Sequence, residues 1–143
     1  MKYKDMEISY YDQIIQLWQK TDGVGLRDAD SKHGIKTYLS LNQGMSFVAI
    51  LGKKVTGTIM ASHDGRRGTV HHLAVDEGNR NCGIGEKLIE LSLSSLKSVG
   101  IFKSHIHVFT TNINAQKYWS NRGWIEREDI KVYSFINSEN ENT

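Results

Sequence analysis

The chain contains no proline, a single cysteine and no apolar run approaching the length of a membrane span. One cysteine, Cys82, excludes a disulfide framework and suits a reducing, cytoplasmic compartment. A bilayer span needs roughly 20 consecutive apolar residues, which the sequence nowhere offers. The opening Met1-Lys2-Tyr3-Lys4-Asp5 lacks the apolar core of a signal peptide. Neither sign of charge dominates: 18 Lys and Arg against 16 Asp and Glu leave +2, too little to argue for nucleic acid. No linker, repeat or compositional break divides the chain. With 38% hydrophobic residues, it reads as one domain over 1–137 followed by a polar tail at 138–143.

Hydrophobic periodicity orders the chain into alternating strands and helices. A short strand at 3–8 leads into a helix at 10–21, with Tyr11, Ile14, Ile15 and Trp18 as its inward stripe and Ser9 with Asp12 imitating a capping box. The stretch 21–30, rich in Gly and Asp, is a loop, and Asp30 or Ser31 can cap a second helix ending near Asn42. Strands are expected at 45–51, 54–63 and 69–75. A long helix to Val99 follows, then a strand at 103–109, a helix at 112–122, and two final strands at 125–127 and 131–135.

Between the strand Val70-His71-His72-Leu73-Ala74-Val75 and the long helix stands Arg80-Asn81-Cys82-Gly83-Ile84-Gly85. Glycines at a strand-to-helix turn admit positive φ and close approach of a ligand, and the free N–H groups of the new helix favour phosphate. Arg80 adds a guanidinium fork. A P-loop starting at Gly78 would need Lys and Ser/Thr where Ile84 and Gly85 stand, and a dinucleotide fingerprint starting at Gly83 would need glycine at Leu88. The hexapeptide instead resembles the R-x-x-G-x-G loop of the GNAT superfamily of acyl-CoA-dependent N-acyltransferases. Downstream, Asn112, Ala115, Tyr118, Trp119, Gly123 and Trp124 fall where that superfamily has its N-x-x-A-x-x-Φ-Y helix and Gly-aromatic turn. The resemblance covers nearly the whole chain, in order, and is closest to small free-standing bacterial acetyltransferases.

The resemblance implies an α/β (α+β) GNAT fold: a mixed, mostly antiparallel sheet of six to seven strands with about four helices, splayed between the strands at 69–75 and 103–109 to admit acetyl-CoA. It implies acetyl transfer to a primary amine by direct attack in a ternary complex, with no metal. It assigns the acetyl-CoA contacts to Leu73, Ala74 and Val75, to Arg80, Asn81, Cys82, Gly83, Ile84 and Gly85, and to Asn112, Asn114 and Trp119. The acceptor is a small-molecule amine or an exposed lysine, and Arg27, Asp28 and His107 are its candidate contacts. A homodimer is common among such proteins.

An alkyl amine with a pKa near ~10 is mostly ammonium at neutral pH, so a base has work to do. His71 shares a strand face with Leu73 and Val75 and is the candidate base; the other reading is a histidine packed between strands. Strict alternation sends His72 to the opposite face as a structural residue. His105 and His107 share a face of the next strand, with no carboxylate or cysteine at ligand spacing, and read as cleft lining. Trp119 departs from the superfamily's tyrosine, and an indole cannot supply a proton to the departing thiolate. Tyr118 is the remaining candidate acid, at a position the superfamily fills with a packing residue. Cys82 occupies a variable position of its loop. Two other readings stand beside the enzyme: an acyl-CoA-binding sensor without turnover, and a nucleic-acid module using Lys53, Lys54, Arg66 and Arg67, which are more simply solvated hairpin turns.

Overall fold

A computed structural model describes all 143 residues, which form two compact units, Met1–His107 and Val108–Thr143. In the first unit, strands β1 (Lys2–Asp5), β2 (Phe47–Leu51), β3 (Lys54–His63), β4 (Gly68–Val75) and β5 (Ser104–Ile106) form one sheet in chain order. The first four pair antiparallel and β5 joins β4 in parallel, giving the mixed sheet expected. Helices α1 (Tyr11–Gln19), α2 (Lys32–Leu41) and α3 (Ile84–Ser98) complete the unit, and α4 (Ile113–Asn121) belongs to the second.

β3 is the central strand, buried from Val55 to Ala61 on both faces. α1 and α2 bring Ile14, Leu17, Trp18 and Ile35 against Val48, Ile50, Met60 and Ala74. α3 lies close enough to β3 that a Cβ on Gly57 would come 2.9 Å from Ile84 Cγ2, so glycine at that position is a packing requirement. Ser92 Oγ donates to the Met45 carbonyl at 2.7 Å, tying α3 to the entry of β2. The helix ends where Gly100 at φ +85 lets the N–H of Ile101 return to the Leu96 carbonyl at 3.0 Å, a Schellman closure.

Two local expectations change. Ser9 belongs to a 3₁₀ turn, Ile8–Tyr10, and Tyr10 precedes α1 with no side-chain cap, so the capping box there does not form. Ser31 rather than Asp30 caps α2, its hydroxyl accepting the Gly34 N–H at 3.1 Å.

The larger correction is at the end of the chain. The sheet has five strands, not six to seven, and neither 125–127 nor 131–135 is a strand. Ile125, Tyr133 and Phe135 are each more than four-fifths exposed. β-propensity is a preference for a pleated, half-buried surface, and no neighbouring strand supplies a ladder there. A two-pronged Arg127–Asp129 pair, both contacts 2.9 Å, spans the bend between the two segments. No helix of the chain is long and apolar enough to cross a membrane.

Candidate active site

The β4–β5 ladder covers only Gly68–Ser104, Thr69–His105 and Val70–Ile106. β4 continues to Val75 with no partner on that edge, so the expected splay begins at His71. The backbone groups that face this edge have no strand partner and can hydrogen-bond an extended ligand arm, except the Val75 carbonyl, which accepts from Arg80. Of the residues expected to do so, Ala74 is buried, and Leu73 and Val75 are half-buried.

The strand is also bulged. Thr58 pairs with Ala74 and Met60 with His71, so Ile59 of β3 faces both His72 and Leu73. The extra residue is His72, at φ +48. The bulge ends strict alternation: the His71 and His72 rings lie 6.3 Å apart instead of on opposite faces of the sheet. His72 Nε2 lies 2.7 Å from Asp30 Oδ1, a residue 42 positions earlier. Burial works to raise the Asp30 pKa, but the His72 ring and the Arg27 N–H at 3.0 Å prevail and hold it below the usual carboxylate range. His72 also meets Trp18 edge-on at 4.6 Å.

His71 is half-buried beside the Tyr38 ring, with centroids 6.2 Å apart. Desolvation, with His72 and His107 nearby, pushes its pKa below 6.5, and Asp30 opposes only partly. The imidazole is therefore neutral near pH 7, the form a base requires. The Tyr38 hydroxyl is buried with no well-formed hydrogen bond; burial pushes its pKa up to about 12, and the nearby Ser62 side chain works to lower it. It can donate a hydrogen bond but holds its proton. Tyr38, Trp18, Thr58 and the Asp30–His72 contact carry no sequence signal as a group, because helix stripes, a helix cap and strand positions account for each of them separately.

At the far end of β4, Arg80 donates from Nε to the Val75 carbonyl at 3.1 Å. Asn81 at φ +63 and Gly83 at φ +79 turn the chain into α3, asparagine being one of the few side chains that accept the left-handed region. The first intrahelical bond runs from Lys87 N–H to the Gly83 carbonyl at 3.0 Å. The N–H groups of Ile84, Gly85 and Glu86 precede that bond and form a helix terminus suited to an anion. A Cβ on Gly83 would meet no protein atom, so its constraint is backbone conformation rather than space within the chain. Cys82 is exposed, its thiol 3.5 Å from the Arg80 carbonyl.

Arg27 and Asp28 are exposed on the α1–α2 loop, and His107 is exposed just beyond β5. Lys53 and Lys54 sit at one hairpin, where Lys54 reaches Asp76 at 3.5 Å. Arg66 and Arg67 sit at another, where Asp64 Oδ1 accepts both backbone N–H groups at 2.8 Å. That turn is built around its aspartate, and the arginines are there as solvated ends.

In the second unit, Asn112 caps α4 by accepting the Ala115 N–H at 3.1 Å, while Asn114 is exposed in the first turn. Trp119 is buried against Trp124, rings 4.8 Å apart. The Gly-aromatic turn is a Schellman motif: Gly123 at φ +86 sends the Trp124 N–H to the Trp119 carbonyl at 3.1 Å. The Arg122 guanidinium lies 3.5 Å over the Tyr118 ring, and Tyr118 touches Trp119 edge-on.

The profile of the Acetyltransferase (GNAT) family matches residues 11–124. An acetyltransferase of Pectobacterium atrosepticum is 28% identical over 102 residues, 71% of this chain and 72% of that protein. Ard1 from Thermoplasma volcanium superposes with a TM-score of 0.77 at 18% identity, covering 87% of this chain and 82% of its own. Rv2747 from Mycobacterium tuberculosis, solved in complex with CoA, gives 0.73 at 19% identity, covering 94% and 77%. At such identities the two structures speak for the fold. The family match spans most of the chain, both elements of the glycine turn and the α4 helix included, and the chain therefore belongs to the GNAT family of acetyltransferases.

Proposed function

We propose that the protein transfers an acetyl group from acetyl-CoA to a primary amine by direct attack in a ternary complex, with residues 1–137 acting as one catalytic domain. The carrying observation is the continuity, within one strand and turn, of an open backbone edge from His71 to Val75 and an anion-suited helix terminus at Arg80–Gly85. An extended arm ending in a pyrophosphate matches both parts: hydrogen bonds along a strand edge, then N–H groups and a guanidinium. CoA in complex with the structural relative from Mycobacterium tuberculosis supports that choice of donor.

His71 removes the amine proton, directly or through a water, and the amine attacks the thioester carbon. The tetrahedral oxyanion forms beside the open β4 edge, where a backbone N–H can stabilise it. Collapse breaks the C–S bond and expels the CoA thiolate, while the extra proton left on the nitrogen passes to the departing sulfur or to solvent. A thiol of pKa near ~8.5 leaves as the thiolate at modest cost, so the absence of the usual tyrosine at Trp119 is tolerable. The family resemblance suggests Asn112, Asn114 and Trp119 as donor contacts and Arg27, Asp28 and His107 as acceptor contacts.

The test is a CoA-release assay over a panel of amines: polyamines, aminoglycosides, amino acids and lysine peptides. Saturable release with at least one amine is expected. Tight acetyl-CoA binding with no release from any of them would leave a sensor; no acetyl-CoA binding would overturn the donor assignment.

A further inference from the structure

His72 holds a left-handed backbone conformation that a non-glycine residue keeps only where its surroundings impose it. Three elements do so here. From β3, Thr58 Oγ1 donates to the His72 carbonyl at 2.9 Å. From α1, Trp18 Nε1 donates to the same Thr58 oxygen at 2.9 Å and lays its ring against the imidazole. From the α1–α2 loop, Asp30 takes His72 Nε2 at 2.7 Å.

Asp30 is itself clamped. Its second carboxylate oxygen accepts the Arg27 N–H at 3.0 Å, and its carbonyl accepts the Tyr11 hydroxyl at 2.7 Å. An ionised carboxylate only accepts hydrogen bonds, so Nε2 carries the proton of this contact. The aspartate side chain is one-eighth exposed and the histidine about one-sixth, so water competes poorly for the pair.

The bulge these contacts impose begins two residues after the β4–β5 ladder stops. It turns the backbone of the open edge and brings the His71 ring onto the same side as His72. The geometry points to Asp30 and His72 as positioning residues of the acetyl-transfer site: their hydrogen bond holds the left-handed bulge of β4, and through it the edge from His71 to Val75 and the His71 ring. This inference rests on the acetyltransferase reading of that site. Neither side chain is assigned contact with the reacting atoms.

Glycine separates positioning from packing. It adopts positive φ without a Cβ penalty, so it needs no anchor to form the bulge, whereas alanine keeps the penalty and loses the anchor. His72→Ala and Asp30→Ala are expected to lower kcat tenfold or more. His72→Gly is expected to stay within about threefold of wild type, with His72→Asn between them. In the His72→Gly background, Asp30→Ala should cost less than a further twofold, a non-additivity expected of partners in one interaction. Backbone amide spectra supply a readout independent of turnover: the signals of residues 71–75 should move in both alanine variants and stay near wild type in His72→Gly.

A merely structural histidine predicts the reverse order, because glycine loses the same ring contacts and gains unfolded-chain entropy. Glycine no better than alanine, additive losses in the double variant, or unmoved 71–75 amides in the alanine variants would each overturn the inference. Failure of wild type to bind acetyl-CoA or release CoA would instead remove the acetyltransferase reading, leaving the amide spectra to judge the bulge.

Discussion

The Arg80 side chain is bound to the Val75 carbonyl through Nε at 3.1 Å, so the cation of the glycine turn is fixed to the last residue of the strand that leads into it. One guanidinium edge is used by the protein and the other nitrogens remain for a ligand. Arg80→Ala should therefore weaken acetyl-CoA binding by roughly tenfold, the scale of one charge-assisted hydrogen bond. Arg80→Lys should fall between, keeping the charge while losing the fork. Calorimetric titration of both variants checks this, and unchanged affinity in the alanine variant would remove Arg80 from the site.

Gly83→Ala tests conformation alone, since its Cβ would touch no protein atom. Holding alanine at φ +79 costs about 1–2 kcal/mol, visible as a lowered Tm. The added methyl and the displaced turn should also weaken acetyl-CoA binding. Gly57→Ala is the contrast: its Cβ would press on Ile84 Cγ2 at 2.9 Å, so it should destabilise the fold with little selective effect on the ligand.

His71→Ala should lower turnover by about a hundredfold or more while leaving acetyl-CoA affinity near wild type. Burial sets the sign of the pH dependence. The folded state keeps His71 neutral below 6.5, where the unfolded chain takes up a proton, so its contribution is intact above 6.5 and declines as pH falls. The acid limb of the rate profile should accordingly lie below the ordinary histidine value and disappear in His71→Ala. An unimpaired variant would return His71 to packing.

Tyr118→Phe should change kcat less than threefold. The Arg122 guanidinium covers the ring at 3.5 Å and Arg122 also donates to the Tyr118 carbonyl at 3.1 Å, which together favour packing over proton donation. A tenfold loss of kcat with unchanged KM for acetyl-CoA would identify the phenol as the acid.

The α1–α2 loop, proposed above as acceptor contact, carries Asp22, Asp28 and Asp30 against Arg27. Asp30 accepts from His72 and the Arg27 N–H but stays ionised, so its charge adds to the negative field of the loop. A cationic amine should therefore be preferred over a matched amine bearing a carboxylate, with the preference shrinking as salt is raised. Specificity constants for matched pairs at two ionic strengths decide it; a preference for the carboxylate would refute the charge argument.

Local chemistry made much of this protein legible. The 54–63 strand was readable from its β-branched residues and its flanking turns, Gly52-Lys53 and Asp64-Gly65. The glycine turn and the Gly-aromatic closure of α4 were readable because positive φ admits few residue types. The strands expected at 125–127 and 131–135 were not, since an apolar alternation forms a strand only where another strand pairs with it.

His71 and His72 mark the boundary between the two kinds of knowledge. Their presence in an apolar strand was plain, and alternation placed them on opposite faces. Only the tertiary structure inserts the bulge opposite Ile59 and brings the two rings together. Asp30 illustrates the same limit, reading in sequence as a helix cap and serving in the fold as the partner of a ring 42 residues away. A strand's period and a turn's glycine are set by neighbours along the chain, whereas a bulge and its anchors are set by helices and strands that meet only after folding.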